Sequence, residues 1–282
     1  MTLLVFGQSG QVARELAQIV PNAVFLSRAE VDLSDPEECA KIIAAQVPHA
    51  VINAAAYTNV DRAEIEEEKA TIINGAAPGA MARTCADLDI PFVHISTDYV
   101  FDGAGEASFD PNHVTEPLGA YGRSKLAGEA AVEAAGGRYV ILRTSWVFSA
   151  HGQNFLKTML RLGAERRRLT IVADQIGGPT PAAAIAEACV AVAQALATRP
   201  ENAGIYHFSG APDASWADFA RAIFDAAHLA VEVENIPTSA YPTPARRPLN
   251  SRLDCTSLER TFGLTRPDWR SAMLNIVEEL EG

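Results

Sequence analysis

Positive charge is scarce in this 282-residue sequence: 23 Lys and Arg stand against 35 Asp and Glu, for a formal net charge of -12 and a pI near 5.0. Nonspecific nucleic-acid binding requires a basic footprint, so that class is excluded. An anionic small molecule is not, because it meets the local field of its pocket and not the net charge. Cysteine is scarce too. Cys39, Cys85, Cys189 and Cys255 are widely spaced and form no CxxC pair, which leaves metal and dithiol chemistry without ligands. Each sits among apolar or small residues and reads as a buried, reduced thiol. No apolar run reaches the roughly 18 residues of a membrane span. The opening MTLLVFGQSGQ has no basic n-region, so it reads as a first strand and not as a signal peptide. A cytoplasmic protein without membrane contact is expected. Internal repeats, coiled-coil heptads and low-complexity tracts are also missing. What remains is a globular composition, 48% hydrophobic with 19 Gly and 16 Pro for turns, long enough for one large α/β domain or a domain plus a lobe.

The first half alternates short apolar runs with Ala-rich stretches of helical period. Strands are predicted at Leu3–Phe6, Ala23–Leu26, Ala50–Asn53, Phe92–Ser96 and Tyr139–Thr144. Helices are predicted at Gln11–Ile19, Pro36–Gln46, Asp61–Leu88 (two helices or one broken one) and Tyr121–Glu133. Asp35-Pro36 is a helix start, an N-cap followed by a residue whose missing N–H is not needed there. Near-continuous apolar strands such as AVINAA suit a parallel sheet covered on both faces. The fold class is therefore α/β, a doubly wound parallel sheet of Rossmann type. Later segments read as a helix at Asn154–Glu165, a strand at Leu169–Val172, a helix at Ala182–Ala197, a strand at Ile205–Phe208, and helices at Trp216–Ala227 and Arg270–Leu280. The expected division is a dinucleotide-binding domain over 1–150 plus about 168–200. A smaller, discontinuous substrate lobe takes about 151–167 and 201–282.

Gly7-Gln8-Ser9-Gly10-Gln11-Val12-Ala13 lies between the first predicted strand and helix, spaced GxxGxxA. Glycines there let the backbone turn tightly and approach a pyrophosphate seated on the positive helix N-terminus. Placed between strand and helix, the motif predicts a dinucleotide site on Gly7, Ser9, Gly10, Gln11 and Val12. The second strand ends Leu26-Ser27-Arg28 without a carboxylate, and an arginine suits the 2′-phosphate of NADP, so NADPH is favoured over NADH. Asp32 and Leu33 are candidates to flank the adenine. Ala54, Ala55 and Ala56 after the third strand let the cofactor lie close, and Thr58 adds a hydroxyl.

Tyr121 and Lys125 are spaced i, i+4 and share a helix face. A free tyrosine has a pKa near 10, and a nearby ammonium favours the phenolate, which would bring Tyr121 toward acid–base work at neutral pH. The same lysine can bond the nicotinamide ribose. Upstream, the fourth strand ends Ser96-Thr97-Asp98-Tyr99, so Thr97 presents a hydroxyl where open α/β sheets bind ligands. The plainer reading of YxxxK alone is a surface pair. His94 and His207, inside apolar strands, read as satisfied core histidines, and Glu64–Glu68 as a solvated helix face.

These residues resemble the extended short-chain dehydrogenases/reductases, which pair Ser or Thr with Tyr and Lys. The blocks STDYVFDG, EPLGAYGRSKLAGE, RTSWVF, NFLKTMLRL, DQIGGPT and SAYPTPARRPLNSRL narrow the resemblance to the dTDP-4-dehydrorhamnose reductase family, over nearly the whole chain. The resemblance implies NAD(P)H-dependent reduction of the 4-keto group of dTDP-4-dehydro-L-rhamnose. Thr97, Tyr121 and Lys125 would be the catalytic set. Asp98, Tyr99 and Trp146 would line the sugar pocket, with Arg246, Arg247, Asn250 and Arg252 near the nucleotide. Adjacent arginines in a proline-stiffened loop also suit a diphosphate on their own chemistry; a lobe-to-lobe salt bridge is the plainer alternative.

The chain departs from the family at Ala13, in place of the third glycine, and at Ser27, in place of an acid. Some relatives dimerise around Mg²⁺ through a glutamate after the GxPT loop. Here Ala183 and Ala184 stand in that neighbourhood and Glu187 comes only later, so a metal-bridged dimer is not expected, and neither is a metal in the chemistry. A monomer or a homodimer fits. Two rival readings stay open: another 4-keto nucleotide-sugar reductase or epimerase on the same scaffold, and a non-catalytic subunit like the regulatory one of methionine adenosyltransferase.

Overall fold

The computed structural model describes residues 2–281. Strands and helices alternate through β1 (Leu3–Phe6), α1 (Gln11–Ile19), β2 (Val24–Leu26), α2 (Pro36–Gln46) and β3 (Ala50–Asn53). Then come α3 (Val60–Ala63), α4 (Glu67–Thr71) and α5 (Ala77–Asp87), with a π-helical turn over Ile72–Ala76 between the last two. β4 (Phe92–Thr97) runs into a 3-10 turn, Asp98–Val100, and α6 (Ala120–Ala135) leads to β5 (Tyr139–Thr144). Next are β6 (Val147–Phe148), α7 (Phe155–Glu165), β7 (Arg168–Val172), β8 (Ile176–Gly177), β9 (Thr180–Pro181) and α8 (Ala182–Thr198). The remainder is β10 (Gly204–His207), β11 (Ala214–Ser215), α9 (Trp216–Ala226), β12 (Glu232–Ile236), β13 (Asn250–Ser251), α10 (Thr256–Phe262) and α11 (Trp269–Glu281).

Six strands form one parallel sheet in the order β10-β5-β4-β3-β1-β2. The order reverses between β1 and β3, and a crevice opens at their C-terminal ends, where doubly wound sheets hold ligands. One face is covered by α1 and α8, which bring Leu16, Ile185, Val192 and Leu196 onto Val5 and Ile52. The other is covered by α2 and α5, with Ile43 and Met81 against Leu4, Phe6 and Val51. Burial on both faces is why these strands carry no polar alternation. All four cysteines are buried and free. Among the described residues no helix is long and apolar enough to cross a membrane.

A third apolar cluster gathers α7, α9, α11 and β7 around Phe219, Phe224 and Trp269. Strand pairing departs here from the expected division in two places. β7 pairs with β12, and its Leu169 and Ile171 pack in this lobe, so 168–172 do not belong with the central sheet. β10 pairs with β5 and completes the central sheet from within the segment given to the lobe. The crossover through α8 returns the chain to the sheet edge beside β5, as right-handed connectivity requires.

Candidate active site

The turn after β1 is shaped by what it excludes. Gly7 has φ +112°, and a Cβ there would meet the Ala54 carbonyl carbon at 3.3 Å, so the turn lies directly on the segment after β3. Gly10 N-caps α1 with no side-chain hydrogen bond, leaving the first N–H groups of the helix free for an anion. Ala13 is fully buried where the helix meets the sheet. Ser9 is exposed, Ala54, Ala55 and Ala56 are half-buried beside the turn, and Thr58 is exposed. This open cradle of small residues and free N–H groups fits a dinucleotide pyrophosphate. Three expected contacts have their side chains elsewhere. The Gln11 side chain accepts hydrogen bonds from Ser149 Oγ (3.2 Å) and Asn154 Nδ2 (2.8 Å), so it ties α1 to the lobe and only its backbone N–H serves the cradle. Val12 packs against the core beneath. Leu33 is likewise a buried core residue and not a wall for adenine.

At the end of β2 the geometry corrects the reading of charge. Arg28 is exposed and pairs loosely with Asp32 at 3.5 Å. A tight turn brings Glu30 back so that its carboxylate accepts the Ser27 N–H at 2.8 Å. Hydrogen bonding from Ser27 holds Glu30 below the usual carboxylate range. An acid therefore does stand at this strand end, supplied three residues beyond the position where the sequence shows none.

The catalytic candidates meet at the C-terminal end of β4. Thr97 N-caps the 3-10 turn; its Oγ1 accepts the Tyr99 N–H at 3.2 Å and donates to Asp98 Oδ1 at 3.0 Å. α6 reaches this turn because Gly122 has no side chain: a Cβ there would lie 2.2 Å from the Tyr99 carbonyl oxygen. That contact sets Tyr121 against Tyr99, edge to face with centroids 5.6 Å apart. Asn74, in the π-helical turn, bonds both backbone groups of Tyr57 and donates to Ser124 Oγ at 2.9 Å. Ser124 donates in turn to the Tyr121 carbonyl at 2.7 Å. The loop after β3 and the first turn of α6 are thus fixed to each other.

Protonation differs from the expectation for Tyr121. Burial, reinforced by the nearby Asp98 charge, pushes its phenol up to about 12. Lys125 does not offset this, because its ammonium end is turned toward β4: Nζ donates to the Ile95 carbonyl at 2.7 Å and lies 3.2 Å from His94 Nε2. Tyr121 is therefore a protonated acid throughout the neutral range. Burial lowers Lys125 to about 8, opposed by Glu129, and raises Asp98 to about 6, opposed by hydrogen bonding. Asp98 Oδ2 is buried without a partner. His207 sits in the core as a satisfied histidine, with Nδ1 donating to the Phe109 carbonyl at 3.0 Å and Nε2 accepting from Arg143 at 3.3 Å.

A cavity of about 710 Å³ opens from Tyr99 and Asp61 toward the lobe, between α7, β7 and the loop before Arg247. Arg247 lines it and bonds Asp61 at 2.8 Å, with its Nη1 buried and unpartnered. The other three expected nucleotide contacts do not line it. Arg246 is exposed. Asn250 is pinned to the Ala107 carbonyl at 2.7 Å, and Arg252 donates to Asn250 Oδ1 at 3.0 Å, so both hold the loop in shape. Trp146, at φ +49°, stacks on Trp216 with centroids 3.5 Å apart, and Trp216 is the one of the pair on the cavity wall. Phe155, Met159 and Leu162 also face the cavity, and the sequence does not mark them as site residues. Their i, i+4, i+7 spacing is visible in NFLKTMLRL as one apolar helix stripe, which a core assignment explains equally well. Arg166, which caps the end of α7, and Arg168, which opens β7, also line the cavity without a signal in the sequence. No three His, Cys, Asp or Glu side chains gather as a metal site among the described residues.

Comparison with known proteins decides the family. The family model described as the RmlD substrate binding domain matches residues 1–281. The chain is 46% identical to a dTDP-4-dehydrorhamnose reductase of Burkholderia thailandensis, over 99% of each chain. The chain belongs to the dTDP-4-dehydrorhamnose reductase family. The family's reductase from Clostridium acetobutylicum superposes with a TM-score of 0.93 at 32% identity, over the full length of both. The reductase from Bacillus anthracis, solved in complex with NADP, superposes with a TM-score of 0.91 at 33% identity, covering 99% of this chain and 100% of that one. A dTDP-4-dehydrorhamnose reductase fold therefore carries the cradle, the Thr97–Tyr121–Lys125 group and the cavity described above.

Proposed function

We propose that this chain reduces the 4-keto group of dTDP-4-dehydro-L-rhamnose to give dTDP-L-rhamnose, using NADPH or NADH. The observation that carries the reading is the convergence of Thr97, Tyr121 and Lys125 at the β4 end, between the glycine cradle and the cavity that reaches Arg247. The bound nicotinamide supplies the hydride. Tyr121 Oη, protonated at neutral pH, hands its proton to the oxygen that becomes an alkoxide. Thr97 Oγ1 holds the same oxygen, and its own bond to Asp98 fixes the hydroxyl's direction. Lys125 anchors the cofactor ribose and restores the phenol's proton. Thr97 and Lys125 are buried and Tyr121 is half-buried, so little bulk water reaches the group and the gain comes from positioning and from stabilising the developing oxyanion. Arg247, with an unused buried N–H, is suited to the diphosphate, and the apolar stripe on α7 to the base. The residues act as one polypeptide's site, so a monomer or a homodimer would both serve.

The test is consumption of NADPH with dTDP-4-dehydro-L-rhamnose formed enzymatically in the cuvette, followed by identification of the sugar. dTDP-L-rhamnose is the expected product. The C4 epimer would keep the chemistry and change the stereochemical assignment. NADPH binding without consumption would instead favour a non-catalytic subunit. Tyr121→Phe is expected to retain cofactor binding and lose roughly a hundred- to ten-thousand-fold in kcat; wild-type turnover would remove Tyr121 as the acid.

A further inference from the structure

A line of buried polar groups crosses from β3 through β4 to α6, and the reduction as argued does not use it. Asn53 Oδ1 accepts the Ala55 N–H at 3.2 Å, and Asn53 Nδ2 lies 3.2 Å from His94 Nδ1. The other ring nitrogen of His94, Nε2, lies 3.2 Å from Lys125 Nζ, which also donates to the Ile95 carbonyl at 2.7 Å. Asn53, His94 and Lys125 are 1%, 0% and 2% exposed, so these groups must satisfy one another.

Donors and acceptors along this line can be assigned in order. A backbone N–H only donates, so Ala55 fixes Asn53 with its oxygen toward the turn and its NH₂ toward the imidazole. Complete burial holds His94 well below its ordinary pKa, so the ring is neutral, with one donor and one acceptor. Nδ1 faces the Asn53 NH₂ and is the acceptor; Nε2 therefore carries the hydrogen and aims it at Lys125 Nζ. An uncharged amine can accept that hydrogen. An ammonium cannot, and would set donor against donor at 3.2 Å. Charging Lys125 comfortably requires the ring hydrogen to move to Nδ1 and Asn53 to turn over, releasing the Ala55 N–H. Glu129, one turn along α6, favours the ammonium, but its carboxylate is already engaged by Arg143 of β5 at 2.6 Å.

We propose that His94, oriented by Asn53, is a positioning residue that disfavours the charged form of Lys125 in the cofactor-free protein and couples its protonation to the Asn53–Ala56 turn, so that cofactor binding above neutral pH is accompanied by proton uptake from solvent at Lys125. This rests on the reading that Lys125 and the Asn53–Ala56 turn belong to the cofactor site.

The experiment is proton uptake on NADPH binding, read with an indicator dye in weakly buffered solution near pH 8.5 and without sugar substrate. The wild type is expected to take up roughly half a proton or more per bound cofactor. Lys125→Met, which should bind NADPH more weakly for want of the ribose contact, should take up none when saturated with the cofactor. His94→Gln, whose side-chain carbonyl can face an ammonium, and Asn53→Asp, whose carboxylate would draw the ring hydrogen to Nδ1, should each lose most of the uptake while still binding. Nitrogen-15 spectra of the wild type should show His94 as the Nε2–H tautomer when free and Nδ1–H when NADPH is bound. That tautomer readout decides the matter even where a variant fails to fold. No uptake in the wild type, equal uptake in His94→Gln and Asn53→Asp, or an unchanged tautomer would overturn the proposal. Uptake persisting in Lys125→Met would overturn it and also remove Lys125 as the proton's destination. Product identification in the turnover assay reports on the reduction separately.

Discussion

Asp98 shows how much a single buried carboxyl can set at this site. Burial raises its pKa to about 6, well above the ordinary aspartate value of 3.8. The charged form is therefore disfavoured in the folded state. Its contribution to stability is fully favourable below pH 3.8 and is lost progressively as pH rises through 6. Asp98→Asn removes the titration and keeps the shape. Relative to wild type, the variant should gain about 2 kcal/mol in denaturant unfolding between about pH 4 and about pH 7.5; a constant difference across that range would place the titration elsewhere. Glu30 sets a second balance. Its carboxylate at the β2 end opposes a 2′-phosphate and suits a free ribose hydroxyl. Glu30→Gln is expected to improve the NADPH-to-NADH ratio of kcat/KM by about fivefold, the scale of an exposed charge pair, with Arg28→Ala moving it the other way. Equal effects on both cofactors would separate these residues from the ribose. Sequence spacing could not reveal Glu30, because the turn that folds it onto the Ser27 N–H is not written in strand periodicity. Tyr121, Lys125 and Thr97 were legible because the i, i+4 spacing and the strand-end hydroxyl survive in one dimension. The direction of the Lys125 ammonium was not, since it depends on His94 and Ile95 across the sheet.

Elements whose faces are buried by near neighbours were read almost to the residue. β1, β3 and β5 match their predicted bounds, as do α1 and α2, because unbroken apolar runs and an Asp35 cap mark them plainly. The break in the 61–88 helix was anticipated, but the π-helical turn was not: it exists to let Asn74 reach Tyr57 and Ser124, a tertiary demand without local propensity. β12 is hard to read because the alternation Val231-Glu232-Val233-Glu234 is short, breaks at Asn235 and lies mostly exposed, and without that partner β7 reads as part of the central sheet. Close packing between elements also fixes catalysis. Gly122 lets α6 touch the 3-10 turn, and an alanine methyl would fall 2.2 Å from the Tyr99 carbonyl oxygen. Gly122→Ala should destabilise the protein by about 1–3 kcal/mol as an overpacked contact. It should also lower kcat more than it raises cofactor KM, because Tyr121 is displaced from Thr97 while the cradle is untouched. A loss confined to stability, with normal kcat at low temperature, would mean that Tyr121 keeps its place through Ser124 and Asn74 alone.

At the scale of the whole molecule, a chain with net charge -12 must draw in a substrate that carries a diphosphate. The resolution lies in local placement: Arg166, Arg168 and Arg247 line the cavity against the single carboxylate of Asp61, so the charge of its lining is positive while that of the chain is negative. Arg247 is the best held of them. Asp61 takes one of its N–H groups at 2.8 Å and the Ala245 N–H at 3.1 Å, which pins the proline-rich loop to α3 and closes the cavity's rim. Its Nη1 is left buried without a partner, an arrangement that costs free energy unless an anion completes it. Arg247→Ala is therefore expected to raise the KM for the nucleotide sugar about tenfold, with kcat changed by less than about threefold, the signature of lost ground-state binding. Cofactor KM should not move, because the cradle at Gly7 and Gly10 is built from the opposite side of the sheet crevice. Arg246→Ala, on the exposed neighbour, should leave all three constants near wild type. If Arg246→Ala and Arg247→Ala raise the substrate KM alike, the loop acts through its overall charge, and the buried geometry around Arg247 is not what holds the diphosphate.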